Sequence, residues 1–130
     1  MGALQVEIVT PQKSVYSGSA DEVIVPGWEG QLGVLPQHDA LLALLKCGVA
    51  TVRNGSESLS WVVAHGFADI GGTHVTLLTD QCVAVPDVDK AEAKKHLEAV
   101  QAEMASDSIG EEALRQARSR AEWVQALVDA

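Results

Sequence analysis

One stretch of the chain, VPGWEGQLGVLPQHDALLALLKCGV from Val25 to Val49, carries three glycines at three-residue spacing. The glycines are Gly27, Gly30 and Gly33, and such a run could form a phosphate-binding loop, a catalytic pocket or the turns of a β-sheet. No Gly-Lys-Ser/Thr follows, which argues against a P-loop. A dinucleotide fingerprint needs a helix after the glycines, where extended chain is expected. The stretch therefore predicts turns, with each glycine permitting positive φ around a strand end.

Residues 1–86 have the pattern of an all-β region. Short runs that alternate or carry β-branched residues recur with turn residues between them, as in LQVEIVT, EVIVP and VATVR. Asn54-Gly55 is the strongest hairpin signal, because both central residues of such a turn need positive φ. Gly71-Gly72 predicts a second hairpin, and QCVAV is the last strand candidate. About nine or ten short strands over this length predict a sandwich or a flattened barrel.

Residues 87–130 have the composition of helices, with no proline and many Ala, Glu, Gln, Lys, Arg and Leu residues. Asp89 is expected to cap a first helix, with Glu92 in a capping-box relation. Ser108 is expected to start a second helix, again with an acid, Glu111, three residues later. A short loop between them makes the pair an antiparallel hairpin. Apolar residues at helical spacing form one stripe on each helix: Ala93, Leu97, Val100 and Met104 on the first, and Leu114, Ala117, Ala121, Val124 and Val128 on the second.

The predicted hairpin has few large apolar side chains for its length. Ordering its backbone is costly in entropy, and the burial of so few side chains does not offset that cost. We therefore expect the hairpin to depend on docking, either against the β region or against a partner. An element with two possible docking sites can act as a switch.

Composition excludes several classes of partner. The formal net charge is −9, which disfavours nucleic acid and anionic lipid, since both are bound mainly through cationic side chains. No basic segment followed by a long apolar run opens the chain, so no secretory signal is expected. No apolar run is long enough to span a bilayer. We therefore expect membrane association only through a partner.

No catalytic or metal-binding motif is present in the sequence. Cys47 and Cys82 have no zinc-type spacing and are interpreted as small buried apolar residues in a reducing compartment. The four histidines are scattered, and His65-Gly66 is interpreted as a turn between strands. No G-x-S-x-G elbow and no obvious carboxylate pair is found. The expectation is a protein that is not itself an enzyme and has no cofactor and no metal.

Arg115, Arg118 and Arg120 form the only dense cationic cluster. One interpretation is a solvated helix face with ion pairs such as Glu111 to Arg115 and Arg118 to Glu122. The other is a docking patch for acidic groups on another chain. The sequence leaves both open.

The glycine-rich stretch also resembles the core motif of the ε subunits of F-type ATP synthases, called δ in mitochondria. That motif is Pro-Gly-x-x-Gly-x-x-Gly-Val-Leu-Pro-x-His. A second segment, VAHGFADIGGTHVTLLTDQCV, is similar to the family's Gly-Phe-Ala segment ahead of a strand. The order of a β region and a helical region agrees along the whole chain. The matching residues of the core motif are Pro26, Gly27, Gly30, Gly33, Val34, Leu35, Pro36 and His38.

The resemblance implies a ten-stranded β-sandwich in residues 1–86 and a two-helix domain in 87–130. It implies a non-catalytic central-stalk subunit that binds the γ subunit and the c ring and couples proton-driven rotation to the catalytic head. The helical domain would dock on the sandwich or extend along γ, and the extended form would inhibit ATP hydrolysis. The location implied is peripheral, at the cytoplasmic face of the bacterial inner membrane, or its equivalent in an organelle.

The resemblance also implies roles for particular residues. Trp28, Glu29, Gly30 and His38 correspond to the family's ring-facing edge, although a buried Trp28 is the alternative. The cluster of Arg115, Arg118 and Arg120 lies on the helix that meets acidic segments of the catalytic α and β subunits in inhibited relatives.

Some members of the family bind ATP through Ile/Leu-Asp-x-x-Arg-Ala at the start of the first helix. The matching run here is VDKAEA, in which Asp89 is retained and Glu92 replaces the arginine. This reversal of charge predicts weak or absent ATP binding.

A different class of function remains open from the residues alone. A sandwich with a helical tail could be a free-standing module that binds a carbohydrate or a peptide, because sandwich folds host many such functions.

Overall fold

The computed structural model describes residues 3–130. Residues 1 and 2, at which the predicted β region begins, lie outside the described residues. Ten strands and two helices form as predicted, with a 3-10 turn between them that was not predicted. The strands are β1 (Leu4–Val9), β2 (Ser14–Ala20), β3 (Glu22–Gly27), β4 (Gly30–Val34), β5 (Leu41–Leu45), β6 (Gly48–Asn54), β7 (Glu57–Val63), β8 (Gly66–Ile70), β9 (His74–Thr79) and β10 (Cys82–Ala84), and the helical elements are a 3-10 turn (Val85–Asp87), α1 (Lys90–Met104) and α2 (Glu111–Asp129).

The strands form one continuous sheet in the order β10-β7-β6-β3-β5-β8-β9-β1-β2, with β4 paired to β3. Strands β3 and β5 share a single pair, Gly27 with Leu45. This narrow junction divides the sheet into two five-stranded halves that enclose the core. All neighbouring pairs are antiparallel except β1 and β9, which run parallel. The predicted ten-stranded β-sandwich is therefore confirmed.

The core lies between the two halves and follows the alternation expected of strands. In β1, Leu4, Val6 and Ile8 are buried while the residues between them are exposed. Tyr16 of β2 and Trp61 of β7 lie across the core, with ring centroids 4.8 Å apart. The other large side chains of the core cluster with almost no exposure are Val23, Val25, Val34, Leu45, Val63, Ile70, Val75 and Leu77.

The glycine turns are only partly as predicted. Gly30 has φ +125° and closes the β3–β4 hairpin. The prediction of positive φ at Gly27 and Gly33 is wrong, since both lie inside paired strands with ordinary backbone angles. Gly27 is required for a different reason: a Cβ there would lie 2.9 Å from the carbonyl oxygen of Gly30. The close approach of two strands, rather than a left-handed turn, accounts for that glycine.

The β6–β7 hairpin forms where it was predicted, but its turn is displaced by one residue. Asn54 pairs with Glu57, so the two central residues are Gly55 and Ser56. Gly55 has φ +65°, and Ser56 has negative φ. Glycine at the first central position suits a II′ turn. The Gly55 N–H also donates a 2.7 Å hydrogen bond to Asp21 Oδ2. The second predicted hairpin, between β8 and β9, is confirmed.

The first helix begins as predicted and the second does not. The Asp89 carboxylate accepts a hydrogen bond from the Glu92 N–H at 3.1 Å and caps α1. The cap of α2 is Gly110, without a side-chain hydrogen bond, so the prediction that Ser108 starts the helix is wrong. The Ser108 hydroxyl instead lies 3.0 Å from the hydroxyl of Ser106. A serine there stabilises the loop, which is the other common role of this residue type.

The helical hairpin packs on the outer face of the sandwich, where α2 contacts β6 and β7. Val62 alternates along β7 with the core residues Trp61 and Val63, so its side chain faces away from the core. It is nevertheless fully buried and does not belong to the core cluster. Because α2 contacts β7 on this face, we infer that the helix covers the Val62 side chain. The apolar stripe predicted for α2 is confirmed, with Ala117 and Val124 buried.

Candidate functional site: the outer face of the sandwich

The β3–β4 turn presents a large aromatic side chain to solvent. Trp28 is 58% exposed, so the alternative of a buried Trp28 is wrong. The backbone N–H of Trp28 donates to the carbonyl oxygen of Leu44 at 3.1 Å, which fixes the turn against β5. Glu29 and Gly30 are exposed beside it. An exposed tryptophan held by a rigid turn is typical of an interaction surface.

His38 lies at the opposite end of β5. It precedes Leu41, which pairs with Ile70, whereas Trp28 lies beside Leu44. The His38 Nδ1 lies 2.7 Å from the carbonyl oxygen of Asp39. A five-residue strand spans roughly 13 Å between its end residues. The structure therefore does not bring His38 together with the Trp28 turn.

Between these two ends, the outer face of β5, β8 and β9 carries exposed apolar side chains. Leu44 pairs with Phe67, and Phe67 pairs with Leu78. We call these three residues the outer apolar row. Leu42, two positions before Leu44 and on the same face, is 67% exposed. Contiguous exposed apolar residues on a small protein mark an interaction surface.

A groove runs from this row toward the helical hairpin. Its volume is about 690 Å³, and its lining includes Trp28, Phe67, Leu78 and Glu122. Apolar surface dominates the lining, and the titratable side chains that reach it are His65, Asp80 and Glu122. The groove suits the binding of an apolar partner better than chemistry on a substrate.

Neither of the two ion pairs named from the sequence forms, although Arg115 does pair with an acid on its own helix at i,i+3 spacing. Arg115 pairs with Glu112 at 3.1 Å rather than with Glu111. Arg120 reaches across to Glu103 of α1 at 3.0 Å and links the two helices. In residues 3–130 no ion pair is formed by Arg118. The predicted pair of Arg118 with Glu122 is therefore wrong, and Arg118 is the member of the cluster most available to a partner.

Glu122 points instead toward the sandwich. Its Oε2 atom lies 2.7 Å from Nε2 of His65. His65 lies between β7 and β8 as predicted, whereas Gly66 of the predicted turn belongs to β8. Cys47, in the loop between β5 and β6, lies in the same place. One ligand atom from each of the three residues lies within 4.8 Å of those of the others. Sequence spacing could not indicate this cluster, because its members come from three separate segments.

The two thiols are half-buried, less than the sequence predicted, and no disulfide joins them. Burial, followed by the charge of Glu122, raises the pKa of the Cys47 thiol. Burial raises the pKa of Cys82 to about 11. Both thiols are therefore protonated at neutral pH and are poor nucleophiles.

Comparison with known proteins identifies the family of this chain. The family model for the β-sandwich domain of the ATP synthase delta/epsilon chain matches residues 3–85. The chain belongs to the ATP synthase delta/epsilon family. Family membership favours the stalk-subunit interpretation over a free-standing binding module.

Relatives in the family extend the match to the helices. The ATP synthase epsilon chain of Granulibacter bethesdensis is 36% identical over 132 residues, covering 100% of this chain and 98% of the relative. The ATP synthase epsilon chain 2 of Ralstonia nicotianae is 39% identical over 131 residues, covering 99% of this chain and 86% of the relative.

Two solved assemblies contain chains of the same fold. A chain of the Euglena gracilis mitochondrial ATP synthase, in the OSCP/F1/c-ring structure, matches with a TM-score of 0.85 at 21% identity, covering 98% of this chain and 80% of that chain. A chain of the Tetrahymena thermophila mitochondrial ATP synthase, in the central stalk/c-ring structure, matches with a TM-score of 0.66 at 15% identity. This match covers 98% of this chain and 95% of that chain. At these identities the likeness shows the fold.

The family's nucleotide motif is altered in this chain. The Asp89 carboxylate is engaged as the cap of α1, and Glu92 stands where the motif has arginine. The Glu92 carboxylate is exposed and lies 3.8 Å from the ring of His96. The prediction of weak or absent ATP binding stays a prediction. Within residues 3–130 neither helix is long and apolar enough to cross a membrane.

Proposed function

We propose that this chain is the epsilon subunit of an F-type ATP synthase, a non-catalytic component of the central stalk. It couples rotation of the c ring to the catalytic head and regulates ATP hydrolysis through its two helices. The observation that carries the proposal is the family match, which covers the sandwich and, in the full-length relatives, the hairpin as well. The exposed apolar surface of the sandwich supports a role in assembly.

The outer apolar row is the proposed contact with the γ subunit. Leu44, Phe67 and Leu78 form a continuous strip across three strands. Burying such a strip against a partner removes apolar area from water and stabilises the complex. The Trp28 turn, with Glu29 and Gly30, is the proposed contact with the c ring. His38 lies at the other end of β5, so a contact between His38 and the c ring has to be separate from the contact made by the Trp28 turn.

This assignment is tested by binding of the purified chain to its γ subunit. Phe67→Asp places a charge at the centre of the strip and is expected to weaken binding by about 2 kcal/mol or more, as for a central interface residue. Leu59→Asp is the matched control, because Leu59 is as exposed as Phe67 but lies on β7. Equal affinity of the two variants for γ would exclude the row as the contact.

The helical hairpin is the proposed regulatory element, acting on the catalytic α and β subunits. The helices occupy a docked pose, in which Arg115 and Arg118 face solvent. In an extended pose these arginines would meet acidic segments of the catalytic subunits. A chain ending after Pro86, at the proposed boundary between domains 1–86 and 87–130, is expected to assemble and couple but to lose restraint on ATP hydrolysis. Unchanged hydrolysis by the assembled enzyme would remove the regulatory role.

The proposed location is peripheral, at the cytoplasmic face of the bacterial inner membrane. The similarity to bacterial epsilon chains supports it. In this proposal the chain reaches the membrane only through γ and the c ring, in keeping with its net charge of −9. Fractionation tests it: the chain should sediment with membranes that contain the complex and should be released when γ is absent.

A further inference from the structure

The seam between the helical hairpin and the sandwich contains a cluster of three possible metal ligands. Cys47 comes from the β5–β6 loop, His65 from the β7–β8 junction, and Glu122 from α2. Their ligand atoms all lie within 4.8 Å of one another. Cys47 and His65 belong to the sandwich, and Glu122 lies beside them because α2 is docked. The complete cluster is therefore a property of the docked pose.

The histidine nitrogen in this cluster lacks a well-formed hydrogen bond. Nε2 of His65 is excluded from solvent, and within the described part of the chain no hydrogen-bond partner satisfies it. Oε2 of Glu122 lies at ion-pair distance, 2.7 Å, but makes no hydrogen bond to this nitrogen. Burial of a polar atom without a partner is costly, and such atoms in native structures call for an explanation. A cation bound at this nitrogen would provide a partner.

The charge at the cluster also favours a cation. The Glu122 carboxylate places an oxygen within 4.8 Å of the Cys47 sulfur and of the His65 nitrogen. A divalent ion placed between the three side chains would neutralise the carboxylate and the thiolate together. The indole of Trp28 stacks on the face of the imidazole and leaves the in-plane nitrogen free to act as a ligand.

We propose that Cys47, His65 and Glu122 bind one divalent ion of the zinc class and that this ion fastens α2 to the sandwich. Thiolate, imidazole and carboxylate are the ligand types that zinc takes, whereas magnesium and calcium take oxygen ligands. Three protein ligands leave the fourth tetrahedral position for water. Ligand atoms about 2.0–2.3 Å from a tetrahedral ion lie roughly 3.3–3.8 Å apart. The three ligand atoms already lie within 4.8 Å of one another, so they have to move by about 1 Å or less to surround the ion.

The site itself is independent of the proposed function, because all three ligands belong to this chain. Its consequence for regulation rests on that function: a metal ion that joins α2 to the sandwich stabilises the docked pose relative to the extended one. A ligand that binds only one of two poses shifts the population toward it.

The test uses the full chain and cobalt(II), whose thiolate complexes have a charge-transfer absorption band, with zinc as the competitor. We expect a band at one cobalt per chain that zinc abolishes. Cys47→Ser, His65→Gln and Glu122→Gln should each weaken binding by about tenfold or more, since even outer-sphere partners of metal ligands contribute that much. Cys82→Ser and His74→Gln are the matched controls and should bind as the parent does. A band that persists in Cys47→Ser, or that is lost in Cys82→Ser, overturns the site.

Amide hydrogen exchange tests the link to α2 and guards against variants that merely misfold. Zinc should slow exchange in α2 of the parent chain and leave β1 and β9 unchanged. In Cys47→Ser the strands should keep the parent's protection while the effect of zinc on α2 disappears. Metal binding without a change in α2 exchange would overturn the fastening role. Because no other subunit is present, failure here is distinct from failure of γ binding.

Discussion

The indole of Trp28 lies parallel to the imidazole of His65, with ring centroids 5.9 Å apart and planes 8° from each other. The stack joins the β3–β4 turn to the β7–β8 junction at one edge of the sandwich. It holds an exposed aromatic side chain in a defined orientation. Such preorganisation reduces the entropy lost when a partner binds.

Trp28→Ala is therefore expected to affect binding more than stability. Loss of the stack should lower the free energy of unfolding by about 0.5–1.5 kcal/mol, measured by thermal or urea denaturation. Affinity for the c ring, measured with an assembled γ and c-ring complex, should fall by about 2 kcal/mol or more. Leu59→Ala is the control, because Leu59 is also exposed but lies away from the turn. Equal losses of stability and affinity would assign Trp28 a purely structural role.

Val62 provides a test of how the hairpin is docked. Its side chain is fully buried on the outward face of β7, outside the core cluster. Val62→Asp places a charge beneath α2, and burying such a charge without a partner is strongly unfavourable. The helices should undock while the sandwich persists. Hydrogen exchange should rise in α1 and α2 by at least tenfold and remain unchanged in β1 and β9.

Leu59→Asp is the control for Val62→Asp, since it adds the same charge to the same strand at an exposed position. It should leave the exchange of both helices as in the parent. If Val62→Asp also leaves them protected, α2 is held by other contacts.

The nucleotide prediction rests on one reversed charge. Glu92 stands where ATP-binding relatives carry arginine, so calorimetric titration of the chain with ATP should detect no binding in the micromolar range. Glu92→Arg restores a cation at the first turn of α1 and is expected to raise the affinity. Glu98→Arg changes the net charge equally at another position of the same helix and should have no effect. Micromolar binding by the parent chain would contradict the prediction.

Much of the fold could be predicted because local patterns and tertiary structure agree in this chain. The alternation of apolar and polar residues in LQVEIVT predicts β1 and its buried face, and the capping pattern at Asp89 predicts the start of α1. The errors lie where tertiary contacts override local signals. The β6–β7 turn lies one residue later than predicted because Asn54 pairs with Glu57. Ser108 lies in a loop because Gly110 caps α2, which begins at Glu111.

The candidate sites were harder to predict than the fold. The family motif located Trp28, but the outer apolar row depends on which strands are neighbours, and strand order cannot be obtained from periodicity. Glu122 was expected to pair along its own helix with Arg118 and instead reaches His65 on the sandwich. The cluster that includes Cys47 exists only because three distant segments converge.

Cys82 supplies a prediction about pH. Its half-buried position favours the neutral thiol and raises the pKa from the ordinary value of 9.0 to about 11. The stabilisation that this shift represents is fully present below pH 9 and is lost as the pH rises through 11, because the unfolded chain loses the proton first. Urea denaturation should show the free energy of unfolding decreasing across that interval, and less so in Cys82→Ser.

Alkylation reports the same shift in Cys82 directly, because only the thiolate reacts. At pH 9 the folded chain holds about 1% of this thiol as thiolate, against about half for an ordinary cysteine. Iodoacetamide should therefore modify Cys82 on the order of fifty times more slowly in the folded chain than in urea. Peptide mass spectrometry separates this cysteine from Cys47. Equal rates in the folded and unfolded chains would show that β10 leaves the sulfur accessible to water.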